Sequence, residues 1–90
     1  MSFILSKHAE EEIKRRDIPL EFLEQVLENP EQIILEKNGA KAYQSKITFE
    51  EGGKIYLIRA IVSDETQPFV VITVYRTSNV SKYWRISLCK

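Results

Sequence analysis

The sequence offers few side chains suited to chemistry, and they fall into two groups: a single histidine, His8, near the start, and a set of cations interleaved with aromatic residues toward the end. His8 lies in the first turn of an expected helix. There a neutral imidazole can take a proton from a hydroxyl such as a ribose 2′-hydroxyl, or serve structurally by capping the turn. Arg59 interrupts the stretch Ile55 to Val62, where every other residue except Ala60 is bulky and apolar. A guanidinium shielded in this way stabilises a phosphorane better than a solvated one. The competing reading is a buried ion pair or a snorkelling side chain, for which Glu36 or Glu50 would have to reach Arg59 from elsewhere. Tyr75, beside Thr73, can donate to a phosphate oxygen, stack on a base or simply pack. Lys46, Arg76, Lys82 and Arg85 are candidate phosphate contacts or solvated charges. Tyr83-Trp84 is either a base-stacking platform or a hydrophobic plug.

Other chemistry is absent. The single cysteine, Cys89, cannot form an internal disulfide, and no set of Cys and His residues has metal-ligand spacing, so neither a metal nor a cofactor is expected. There is no Gly-rich phosphate loop and no Gly-x-Ser-x-Gly elbow. Glu10, Glu11 and Glu12 read as a solvated run. Apolar runs such as Phe69 to Ile72 are far too short to cross a bilayer, and no secretory signal is visible, so a cytoplasmic domain without membrane contact is expected. The formal net charge of zero conceals opposite halves. Residues 1–36 carry nine acids against four bases, and residues 37–90 carry nine bases against four acids. The acid-free end after Glu65 suits a polyanion, although a basic sheet neutralising its own acidic helices would look the same.

These residues need elements to position them. Ninety residues make one domain, spanning 1–90. Ser6 is placed to cap a helix from about Lys7 to Arg16, with acids early and bases late as the helix dipole favours. Pro19 suits the first turn of a second helix that carries Leu20, Leu23, Val26 and Leu27 and stops at Asn29-Pro30. Strands follow. Asn38-Gly39 and Gly52-Gly53 both read as two-residue hairpin loops. The first pairs Ile34 with Tyr43; the second pairs Phe49 with Tyr56, Ile47 with Ile58 and Lys46 with Arg59. A further strand, Phe69 to Arg76, pairs Val62 with Val70 and sets Thr73 opposite Arg59. Alternation then sends Tyr43, Ile47, Phe49, Tyr56, Ile58, Ala60, Val62, Val70, Ile72 and Val74 to a core face under the helices. Ile33, Leu35, Gln44, Lys46, Thr48, Leu57, Arg59, Ile61, Phe69, Val71, Thr73 and Tyr75 go to a second face, which the segment from Thr77 onward, Trp84 above all, is placed to cover. The expected fold is α+β: two N-terminal helices on one face of a four-stranded antiparallel sheet, which Phe3 to Leu5 can extend to five strands.

The order of short strand, two helices and sheet resembles the RelE/ParE superfamily of bacterial toxins. More specifically, Ser6-Lys7-His8-Ala9, Arg16-Asp17-Ile18-Pro19, Val26-Leu27-Glu28-Asn29-Pro30, Val74-Tyr75-Arg76-Thr77 and Lys82-Tyr83 look like the bacterial domain-of-unknown-function family 4258 over nearly the whole chain. His8 and Arg16 match that family's pattern, whereas Glu12 stands where another Arg often follows the His by one turn. The resemblance implies a RelE-like fold and a toxin of a toxin–antitoxin pair, a metal-independent ribonuclease silenced by a small antitoxin protein. On that reading RNA, free or ribosome-bound, is the substrate. His8 is the base, Arg59 and Lys46 stabilise the phosphorane, Tyr75 orients the phosphate, and Arg16, Thr73, Arg76, Lys82, Tyr83 and Arg85 bind the strand. The alternative is a non-catalytic interaction module that uses the second face for a protein or for its own copy as a homodimer. The near-neutral pI of about 6.6 favours this alternative.

Overall fold

Ser6 opens the first helix as its type suggests. Its Oγ accepts the Ala9 N–H at 3.0 Å and donates to the Ile72 carbonyl at 2.8 Å, so one side chain caps the helix and ties it to a distant strand. The computed structural model describes residues 2–65 and 67–85; Cys89 and Lys90 lie outside the described residues. The elements are β1 (Phe3–Leu5), α1 (Lys7–Arg15), α2 (Leu20–Glu28), β2 (Gln32–Leu35), β3 (Lys41–Thr48), β4 (Ile55–Ser63), β5 (Phe69–Thr77) and a single turn, α3 (Val80–Tyr83). Asp17, in the left-handed region at φ 55°, ends the first helical segment, with Ile18 N–H returning to the Ile13 carbonyl at 3.0 Å. Pro19 sits just outside α2 as its N-cap rather than within its first turn.

The strands form one sheet in the order β1-β5-β4-β3-β2. β1 runs parallel to β5, and all other neighbours are antiparallel, so the sheet is five-stranded and mixed, not purely antiparallel. α1 packs over β5, and α2 over β3 and β4. Beneath them Leu23, Val26 and Leu27 close on Ile58, Ala60, Val62, Val71 and Val74, all but removed from water. Phe22, Phe49 and Tyr56 continue this core as a chain of edge-to-face rings. At the other end of the sheet Asp64 accepts from Lys41 Nζ at 3.0 Å and from Tyr43 Oη at 2.6 Å.

Three registers differ from the expected ones. Asn38 and Gly39 both take positive φ, as a two-residue turn requires, but Glu36 N–H bonds to the Ala40 carbonyl, which leaves Lys37 as an extra residue. β2 is therefore offset by one: Ile33, not Ile34, pairs with Tyr43, and Ile33 and Leu35 project to the helix side of the sheet. They lie beyond the reach of the helices there and stay exposed, at 51% and 72%. The second hairpin has a four-residue loop, Glu50–Gly53, closed by Phe49 N–H on the Lys54 carbonyl at 2.9 Å. The pairing moves by two, so Ile47 faces Tyr56, Lys46 faces Leu57 and Gln44 faces Arg59, with every side chain still on its expected face. In β5 a bulge at Ile72, opposite the step from Ile61 to Val62 in β4, makes Val71, not Val70, the partner of Val62. Before the bulge the alternation inverts. Val71 is fully buried under the helices and Phe69 packs against that core, while Ile72 is 41% exposed and Val70 half-buried, contrary to the expected core set.

Candidate functional site

On the sheet face away from the helices, adjacent strands bring Gln44, Arg59 and Tyr75 into one row, because Gln44 pairs with Arg59 and Arg59 with Tyr75. Arg59 is only 5% exposed, yet each nitrogen of its guanidinium has a partner. Nε donates to Gln44 Oε1 at 2.7 Å, Nη1 to Tyr75 Oη at 2.6 Å and Nη2 to Glu36 Oε2 at 3.2 Å. Of the two readings of Arg59, the structure therefore contains the buried ion pair, with Glu36 reaching in from the end of β2. A buried charge is tolerated only when paired and hydrogen-bonded, and the planar fork meets that condition. Gln44, itself fully buried, has its amide satisfied in turn by Gln32 Oε1 at 2.8 Å and the Tyr83 carbonyl at 3.2 Å.

Tyr75 stands between two cations. The guanidinium carbons of Arg59 and Arg16 lie 5.8 and 6.0 Å from its ring centre, with Arg16 arriving from the end of α1 around the β5 edge. Burial pushes the Tyr75 hydroxyl up, against the pull of Arg59, which keeps it a neutral donor. Arg16 is also held by Glu12, which accepts from its Nε at 2.8 Å and from Arg15 Nη2 at 2.7 Å. Hydrogen bonds from Arg15 first and Arg16 second bring the Glu12 carboxyl down to about 2. Glu12 is thus an acid that organises two neighbouring arginines.

The segment after β5 folds over this row. The Tyr83 ring lies 4.5 Å from the Arg59 guanidinium and edge-on to Tyr75, and Trp84 lies 4.0 Å from Lys46 Nζ. Leu57, on the same face, is fully buried outside the helix-side core. Gln32 accepts the Arg85 N–H at 3.1 Å and donates to the Arg85 carbonyl.

Among the residues singled out from sequence, Arg16, Lys46, Arg59, Tyr75 and Tyr83 come together. Thr73 shares their face but pairs with Ile61 rather than Arg59, because of the bulge. Lys82 and Arg85 are exposed at the rim. Arg76 does not join them. It pairs with Ile58 and points to the helix side, where it lies over Phe49 and Tyr56 beside a cavity of about 200 Å³ lined also by Asp17, Pro19, Phe22 and Glu50. His8 is exposed in the first turn of α1, the end tied to Val71 and Ile72, whereas Tyr75 is met by Arg16 at the opposite end. Eight residues of helical rise, roughly 12 Å, separate the two. Gln44, Gln32 and Glu36 were not singled out as site residues. Alternation puts Gln44 on the face of Arg59, and the four-residue hairpin loop makes it the direct partner of Arg59. No cluster of three metal-ligating side chains occurs among the described residues.

A sheet covered by two helices on one side, with an arginine–tyrosine–glutamine row on the other, defines a small α+β module whose second face is polar at its centre. Residues 5–76 match the domain of unknown function DUF4258, and the chain belongs to that family. No curated protein and no solved structure matches the chain. Among the described residues no helix is long and apolar enough to cross a membrane.

Proposed function

We propose that the chain is a RelE/ParE-like toxin of a toxin–antitoxin pair, a cytoplasmic ribonuclease that cleaves RNA without a metal ion. The observation that carries this reading is Tyr75, a neutral hydroxyl set between the guanidinium groups of Arg59 and Arg16 on the sheet face opposite α1 and α2. Such a row fits a phosphodiester. Arg59 neutralises charge developing on the phosphorane, Tyr75 orients a phosphate oxygen, and Lys46, two residues along β3 from Gln44 and on the same face, holds the next phosphate. His8 reaches the same phosphate only if the strand passes around the β5 edge, so Arg59 and Tyr75 bear the main burden. The partners implied are RNA, ribosome-bound included, and a small antitoxin protein.

One observation favours a second reading, the non-catalytic interaction module. The hydrogen bonds of Arg59 in this structure are all internal, and α3 with Trp84 closes the face. Purified protein incubated with RNA and a chelator separates the two. Under the ribonuclease reading cleavage proceeds, and Arg59→Ala, if its melting curve shows a folded protein, slows it about a hundredfold or more, as loss of one such contact typically does. Absence of cleavage by the wild type across several RNAs and ribosome preparations leaves the interaction module.

A further inference from the structure

Val80–Arg85 is held on the Arg59 face by unusual means for a packed segment. No residue of α3 is buried. Its anchors are two aromatic rings against two cations, Tyr83 on Arg59 and Trp84 on Lys46, and three hydrogen bonds from glutamine side chains to its backbone. Gln32 reads both the N–H and the carbonyl of Arg85, while Gln44 donates to the Tyr83 carbonyl. Gln32, Gln44, Lys46, Arg59 and Tyr75 lie within the residues 5–76 that match the family, and Val80–Arg85 follows them in the chain.

We infer that Tyr83 and Trp84 are a displaceable cover seated where two neighbouring unpaired bases of a single-stranded RNA stack, with Gln32 and Gln44 reading the base edges. This rests on the ribonuclease reading and names its substrate class and its regulation. A base presents to a guanidinium or an ammonium the same flat π surface as a tyrosine or tryptophan ring. A side-chain amide that both accepts from the N–H and donates to the carbonyl of one residue has the donor–acceptor pair needed for a base edge, and Gln is a standard partner of adenine. Only an unpaired strand can turn two bases out onto such a surface, so a duplex is excluded from this seat. Phosphates of the displacing strand then fall to Arg59, Arg16 and Tyr75, whose groups lie beneath and beside Tyr83.

Trp84 is the only tryptophan in the chain, so its emission reports the cover in the unmodified protein. The probe is an eight-nucleotide single-stranded RNA with 2′-O-methyl riboses, which binds but cannot be cleaved through its 2′-oxygen. Saturation is expected to red-shift Trp84 emission as the ring leaves Lys46 for water, and the same sequence as a duplex is expected to leave it unmoved. With both rings removed (Tyr83→Ala, Trp84→Ala) binding is expected to tighten about tenfold, since the open face no longer competes with its own cover. Binding by the wild type with unchanged Trp84 emission, or no gain in the folded double variant, overturns the cover and leaves the ribonuclease reading standing. Failure of both forms to bind overturns both. Displacement of Trp84 by a Tyr-Phe-Arg peptide but not by RNA makes the face a protein-docking surface and also overturns the inference.

Discussion

Replacing Arg59 by lysine keeps the positive charge and removes the fork, and the structure sets the size of the effect. Three buried or half-buried acceptors, on Gln44, Tyr75 and Glu36, now share one guanidinium. An ammonium on a shorter stem satisfies one of them well and leaves about two unpaired in a site sealed by Tyr83. At ~1–3 kcal/mol for each orphaned buried partner the loss is about 2–6 kcal/mol. That is a large fraction of the roughly 5–13 kcal/mol expected for a chain of this length. With a urea dependence of about 1–3 kcal/mol per molar, the unfolding midpoint falls by roughly 1–3 M. Glu36→Gln is the matched comparison. Its side chain is 33% exposed and an amide oxygen can still accept from Nη2, so that loss stays below about 1 kcal/mol. Urea unfolding followed by circular dichroism gives both values. An Arg59→Lys midpoint within about 0.3 M of wild type, or a larger loss for Glu36→Gln, refutes the view that fork geometry rather than charge stabilises the row.

Ser6→Ala removes both the α1 cap and the bond to Ile72, and a loss of about 1–2 kcal/mol, roughly 4–16 °C in melting temperature, is expected by calorimetry. Glu12 is held at about 2 against an ordinary 4.5, so the stability it contributes is whole above pH 4.5 and is lost as pH falls toward 2; Glu12→Gln should flatten that limb of the stability–pH curve. Burial, helped by the Asp64 hydrogen bond, raises Tyr43 from 10 to about 12, so its contribution is whole below pH 10 and disappears as pH rises toward 12. Tyr43→Phe should remove that alkaline loss, as melts between pH 9 and 12 can check.

The elements were legible in the sequence because their signals are local: the Ser6 cap, the Asn29-Pro30 stop and the glycine turns each act over a few residues. What escaped was counting across turns. Asn38-Gly39 formed the expected turn, but the extra residue Lys37 inverted β2 and sent Ile33 and Leu35 to the other side. The second hairpin pairs two positions away from the expected register, which keeps Lys46 and Arg59 on one face and makes Gln44 the partner of Arg59. The β5 bulge has no short-range signature, since Val70, Val71 and Ile72 are interchangeable as strand formers and only packing under α1 selects Val71. Glu36 was visible only as an acid within possible reach. Its pairing with Arg59 follows from the offset of β2.

The two sides of the sheet obey different temperature laws. Under the helices the attraction is burial of Leu23, Val26, Leu27 and Val71, which fades on cooling and carries a large heat capacity. Over the other side the attraction is mainly hydrogen bonds and ring–cation contacts, enthalpic in character, on a single helical turn that buries nothing of its own. Warming therefore loosens the polar side first, while the helix layer is still near its strongest. The accessibility of the Arg59 row is then expected to vary with temperature within the native protein.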